Sequence, residues 1–152
     1  MLRAGERAAE FTLPDDTGTD RSLTELLTTG AIILYFLPSN FIPGCAREAC
    51  AFRDLHLEIQ KAGLRVVGIS PRKPASNARF REKYRLPHAL LSDEHKTVIK
   101  MYGLNGPLGI GVRRATYLID GSRRVRDAVL ADFLIGRHAA FARKAILLRA
   151  AN

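Results

Sequence analysis

Two cysteines five residues apart, Cys45 and Cys50, are the residues of this 152-residue chain best suited to chemistry. Cys45 follows Pro43-Gly44 at the predicted first turn of a helix, where unpaired N–H groups and the helix dipole present positive charge. That setting lowers a cysteine pKa and favours the thiolate, which is the nucleophilic form. A packed core cysteine fits the same place, because Cys45, Ala49, Phe52, His56 and Ile59 make a largely apolar helical stripe. Spacing alone does not choose between the two. Five residues on an ideal helix give about 7.5 Å of rise and about 140° of rotation, hence Cα atoms roughly 8.6 Å apart. A disulfide tolerates about 7 Å, so these thiols bond only if part of the helix unwinds. Cys50 lies off the stripe and is expected to be the more accessible thiol. Cys45, Cys50 and His56 do not supply the four ligands at characteristic spacing that zinc wants, so no metal site is expected.

The elements that position these residues alternate. Phe11-Thr12-Leu13 reads as a short strand, Asp15-Asp16-Thr17-Gly18 as a turn, and Thr24 to Leu27 as one helical turn. The apolar run from Ala31 to Leu37, stopped by Pro38, has the length and composition of a strand buried on both faces. A helix follows from Cys45 to Lys61, ended by Gly63, and Leu64 to Ser70 is a second central strand. Ala75 to Tyr84 reads as helix, Ala89 to Ser92 as strand, and Asp93 to Tyr102 as helix capped by Ser92 or Asp93. Ala115 to Ile119 and Arg124 to Leu130 form a hairpin about Asp120-Gly121, and Arg137 to Ala150 is a C-terminal helix. This order predicts an α/β fold with a central mixed β-sheet flanked by helices, and no linker divides residues 1–152 into more than one domain. Ligand sites in such sheets collect at the C-terminal ends of strands, and the loop after Leu37 is such a place.

The glycine-rich segment Gly103 to Gly111 lacks the Lys-Ser/Thr ending and following helix of a phosphate loop. It reads as a flexible loop toward Arg114. His56 reads as a packed histidine, and His88, His95 and His138 as surface groups. Composition narrows the rest. Two cysteines exclude a disulfide-built scaffold and leave the reducing cytoplasm as the expected compartment. No run of about 20 apolar residues exists, so no membrane span is expected. The charged N-terminus does not read as a secretory signal. Net charge is +9 and the pI near 10.2. The basic residues are dispersed over several elements, so nucleic-acid binding is not expected as the main function.

The segment Pro38-Ser39-Asn40-Phe41-Ile42-Pro43-Gly44-Cys45-Ala46-Arg47-Glu48-Ala49-Cys50-Ala51-Phe52-Arg53-Asp54 resembles the active-site segment of the peroxiredoxins, most closely the Q-type or bacterioferritin comigratory protein group. Gly5 to Leu13, Val67-Gly68-Ile69-Ser70, Leu90-Leu91-Ser92-Asp93 and Arg114 to Asp120 resemble other parts of that family. The resemblance implies a thioredoxin-like fold and a thiol peroxidase that reduces hydrogen peroxide and organic hydroperoxides without metal or flavin. It implies Cys45 as the peroxidatic cysteine and Cys50 as the resolving cysteine of an intramolecular disulfide, recycled by thioredoxin or a similar dithiol. Pro38 matches the proline that shields the pocket, Arg114 the arginine that supports the thiolate, and Glu48 a family acid near the site. Phe41, Ile42, Gly44 and Glu48 are the expected substrate-binding residues. A monomer or weak homodimer is expected. Glu48 serves either to orient Arg114 or as an ordinary acid of the first helical turn, and the second role is the expectation.

Ile42 departs from the family, which normally has Thr there. Isoleucine has no hydrogen-bonding group, and losing one oriented donor at a reacting centre costs roughly 10²–10³ in rate. Either backbone amides and Arg114 suffice, with Phe41 and Ile42 suited to bulky organic hydroperoxides, or the chain is a weakened relative acting as a redox-controlled binding protein. Ala9, where the family favours Pro, is a lesser change.

Overall fold

In β3 (Ile32–Phe36) successive side chains face opposite sides of the sheet. Ile32, Leu34 and Phe36 enter one buried cluster, and Ile33, Tyr35 and the following Leu37 another. A strand buried on both faces belongs at the centre of a sheet. The computed structural model describes residues 1–38, 43–109, 111–130 and 140–146, with the backbone alone for residues 43–46 and 107. From edge to edge the strands are Ala89–Ser92 (β5), Arg65–Ser70 (β4), β3, Ala115–Ile119 (β6) and Val125–Leu130 (β7). The β3–β4 and β4–β5 pairs are parallel; β3–β6 and β6–β7 are antiparallel, with a register shift at Leu118/Ile119. This is the mixed sheet expected from the order of elements.

A separate hairpin pairs β1 (Thr12–Pro14) with β2 (Asp20–Ser22), a strand that the sequence reading did not anticipate. Asp15 builds its turn: the carboxylate accepts the Thr17 and Thr19 amides at 2.8 and 3.0 Å. Ser22 then caps α1 (Leu23–Leu26) by accepting the Glu25 amide. The helices α2 (Pro43–Asp54), α3 (His56–Lys61) and α4 (Pro74–Tyr84) cover one face together with a helical segment at residues 140–146. On the other face α1 and α5 (Thr97–Met101) contribute Leu23, Leu26, Val98 and Ile99.

Three expectations need correction. The helix expected from Cys45 to Lys61 is two helices, broken at Leu55, whose φ of −94° and ψ of 6° leave the helical region. No proline or glycine marks that break. The helix expected from Asp93 to Tyr102 begins only at Thr97, after Lys96 in a left-handed conformation. Asp93 is buried, and its Oδ2 accepts the Ile99 amide at 2.8 Å, so it anchors the first turn from a distance instead of preceding it as a cap. Third, His88 is not a surface group: it is 6% exposed, with Nε2 2.7 Å from the Tyr35 hydroxyl. Burial, then the charges of Arg81 and His56, bring its pKa down to about 3 and keep the ring neutral. Gly68 makes room for this pair, since a Cβ there would meet Tyr35 Cζ and Leu90 Cδ2 at 2.8 Å. His56 is half-buried and His95 exposed. His138 and the rest of the expected C-terminal helix beyond 140–146 lie outside the described residues.

Candidate active site

The sheet brings three chain segments to one edge. β3 ends at Phe36 and β4 at Ser70, and parallel pairing puts those ends side by side. Phe36 pairs with Ala115 in the antiparallel β6, so Arg114 lies just past the same end. The backbone of α2 starts there too, after the loop that leaves β3. Cys45 is the third residue of α2, among the orphan N–H groups of its first turn, and Gly44 is the second. The Cys45 side chain, Phe41 and Ile42 lie outside the described residues. Cys50 is half-buried on the same helix with a free thiol. The stripe beyond Cys45 is core as expected at Ala49, Phe52 and Ile59. The Phe52 ring lies 4.8 Å from that of Tyr35, centroid to centroid.

Arg114 is 4% exposed and Glu48 fully buried. Arg114 Nη1 donates to Glu48 Oε2 at 3.2 Å. The expectation of an ordinary first-turn acid therefore fails: α2 starts at Pro43, has no acid in its first turn, and points Glu48 into the protein at Arg114. Burial pushes the Glu48 carboxyl up to about 8, against the opposing pull of the Arg114 charge and of hydrogen bonds from Arg114 and Thr116. The sequence reading missed Thr116. It is fully buried in β6, and its signal was a threonine hydroxyl inside the otherwise largely apolar run from Ala115 to Ile119.

Pro38 is half-buried and lines a cleft of about 650 Å³ with Pro71, Arg72, Lys73 and the start of α4. A second missed group of polar residues fixes that wall. Ser70 Oγ donates to Asn77 Oδ1 at 2.8 Å, and Asn77 Nδ2 donates to Ser92 Oγ at 2.9 Å, all three buried. The glycine-rich loop folds back through an Asn105–Val112 bridge and leads to Arg114 as expected. No helix among the described residues is long and apolar enough to cross a membrane. The arrangement offers a cysteine at a helix N-terminus, a second cysteine on that helix, and a buried arginine tied to the turn between them.

Comparison with known proteins agrees with this layout. The model of the AhpC/TSA family matches residues 4–128. Peroxiredoxin Bcp of Escherichia coli K12 is 37% identical over 143 residues, covering 90% of each chain. The crystal structure of peroxidoxin BcpB from Mycobacterium tuberculosis matches with a TM-score of 0.91 at 38% identity, covering 97% of this chain and 98% of that one. The bacterioferritin comigratory protein of Xanthomonas campestris, described for its alkyl peroxide reduction activity, shares the fold with a TM-score of 0.84 at 22% identity, covering 91% and 92%. The thioredoxin-like architecture expected above is thus the fold of this chain. The chain belongs to the AhpC/TSA family, and with its Bcp and Q relatives it is a peroxiredoxin, a thiol peroxidase.

Proposed function

We propose that Cys45 is the peroxidatic cysteine and Cys50 its resolving partner. The Cys45 thiolate attacks one peroxide oxygen, the O–O bond breaks, and the leaving alkoxide or hydroxide takes a proton. Cys45 is left as a sulfenic acid. The Cys50 thiol then attacks the Cys45 sulfur, forming the disulfide and releasing water. A protein dithiol such as thioredoxin restores both thiols by exchange and is itself oxidised. Arg114 stabilises the thiolate and the negative charge that develops on the departing oxygen. Pro38 shields the thiol, and Gly44 lets the peroxide approach the first-turn amides of α2. Ile42 supplies no donor, so Arg114 and those amides carry the whole of this stabilisation. Phe41 and Ile42 favour bulky organic hydroperoxides.

The observation that carries the reading is the Arg114–Glu48 contact. Glu48 stands three residues after Cys45 and two before Cys50, so it ties the arginine to the helix that bears both thiols. It also opposes the second step. Joining Cys45 to Cys50 unwinds the turn that holds Glu48, which must leave its buried place at Arg114. The chain works as one domain in the reducing cytoplasm, where a dithiol is at hand. The binding-protein alternative is not favoured, because the matched relatives are named as peroxiredoxins.

Intact-mass measurement after a timed, stoichiometric pulse of peroxide tests the scheme. Wild type loses the hydrogens of one disulfide, whereas Cys50→Ser gains one oxygen that a sulfenic-acid trap captures. Thiols that stay reduced in wild type would overturn it.

A further inference from the structure

The cleft beside Pro38 is walled by Arg72, Lys73 and Arg79, and among the described residues no carboxylate lines it. Lys73 and Arg79 are exposed, and among the described residues neither forms an ion pair. Some cations elsewhere are paired: Arg21, Arg53, Arg81, Arg126 and Lys144 each have a carboxylate within 3.5 Å. The wall is also held in place. Asn77 is tied to Ser70 and Ser92 at the ends of β4 and β5, and the Arg72 amide donates to Ser70 Oγ at 3.3 Å. The segment from Arg72 to Arg79 is therefore fixed at the sheet edge from which the Cys45 loop departs.

Exposed cations hold a single small anion weakly, because water and salt screen each contact. Their summed field instead steers a large body of opposite charge, raising its association rate. We infer that this wall is the docking face for the protein dithiol that reduces the Cys45–Cys50 disulfide, and that the partner carries an acidic rim around its thiols. This rests on the recycling scheme above. In the docked pair a partner thiolate attacks one sulfur of the disulfide, and the partner's second thiol displaces the mixed disulfide. The partner leaves oxidised, with Cys45 and Cys50 reduced.

The test compares wild type with Lys73→Glu/Arg79→Glu and with a control of equal charge change at two exposed lysines elsewhere, Lys61→Glu/Lys100→Glu. Three rates are followed by stopped flow: oxidation by hydrogen peroxide, reduction of the disulfide by an acidic thioredoxin, and its reduction by dithiothreitol. The wall variant is expected to react with thioredoxin about 10–100-fold more slowly at low salt, with a flattened salt dependence. Peroxide and dithiothreitol rates stay at the wild-type value, and the control pair changes the thioredoxin rate much less. A neutral pair, Lys73→Ser/Arg79→Ser, falls between. Unchanged thioredoxin reduction, equal loss in the control, or a loss shared with dithiothreitol overturns the docking face. A defect confined to a carboxylate-bearing hydroperoxide would overturn it too, assigning the wall to substrate. If wild type forms no disulfide at all, the recycling scheme itself fails and the docking face with it.

Discussion

Two buried acids each meet an arginine in this molecule, and their carboxyl groups move in opposite directions. Asp15, in the β1–β2 turn, accepts from the Thr17 amide and hydroxyl, the Thr19 amide and Arg21 Nε, all within 3.0 Å. Burial works to raise its pKa, but those donors bring it down to about 2. At Glu48 burial outweighs Arg114 and Thr116 and pushes the carboxyl up to about 8. An arginine neighbour alone therefore does not set the direction of the shift; the balance between donors and desolvation does. The turn acid is held as a permanent anion. The helix acid holds its proton more tightly while α2 is folded than once water reaches it. Rising pH thus favours release of Glu48, because the unwound state has the lower pKa.

Arg114→Leu separates the two pairs most widely. Peroxide oxidation of Cys45 should slow by about 10²–10³-fold, read by stopped flow, if this arginine faces the reacting oxygens. Less than a tenfold loss would leave Arg114 a purely structural partner of Glu48. Asp15→Asn should leave that rate intact and cost about 1–2 kcal/mol of stability at neutral pH, measured by urea unfolding. The wild-type advantage should vanish as pH falls from about 3.8 to about 2, since the folded carboxylate resists protonation longer than the unfolded one. Glu48→Gln acts with the opposite sign. Wild-type stability should decline as pH rises from about 4.5 to about 8, because there the folded state holds a proton that the unfolded chain has lost. The Gln variant should lack that decline and be the more stable of the two at the upper end. Its disulfide should then form progressively more slowly than that of wild type over the same interval. Parallel pH profiles for the two proteins would remove the ionisation of Glu48 from the resolving step.

Most of the sheet was legible because its strands carry their own signals. Ala89–Ser92 and Ala115–Ile119 stand where their apolar runs and flanking turns put them, and β3 lies inside the run that Pro38 closes. What was not legible depends on contacts made across the fold. The three residues of β2 are Asp, Arg and Ser, with no strand pattern, and they pair because the Asp15 turn folds them back on β1. His88 looked solitary, since its partner Tyr35 is 53 positions away in sequence. At the site, the cysteine spacing and the match to the family made Cys45, Cys50 and Arg114 visible early. The tie between Glu48 and Arg114 spans 66 positions, and no local pattern announces it.

The break at Leu55 acquires significance from this mechanism. In one continuous helix, unwinding at Cys45 could propagate toward Lys61, and the whole span would share a single cooperative fate. Here α2 ends first, and its last turns are secured by Phe52 against Tyr35 and by Arg53 Nη1 on the Tyr84 carbonyl at 2.8 Å. The helix that follows keeps its own anchor in Ile59. On the proposed scheme the interruption would act as a firebreak: each oxidation cycle would melt and rebuild a few residues around the two thiols, while the core beneath them stayed shut to water.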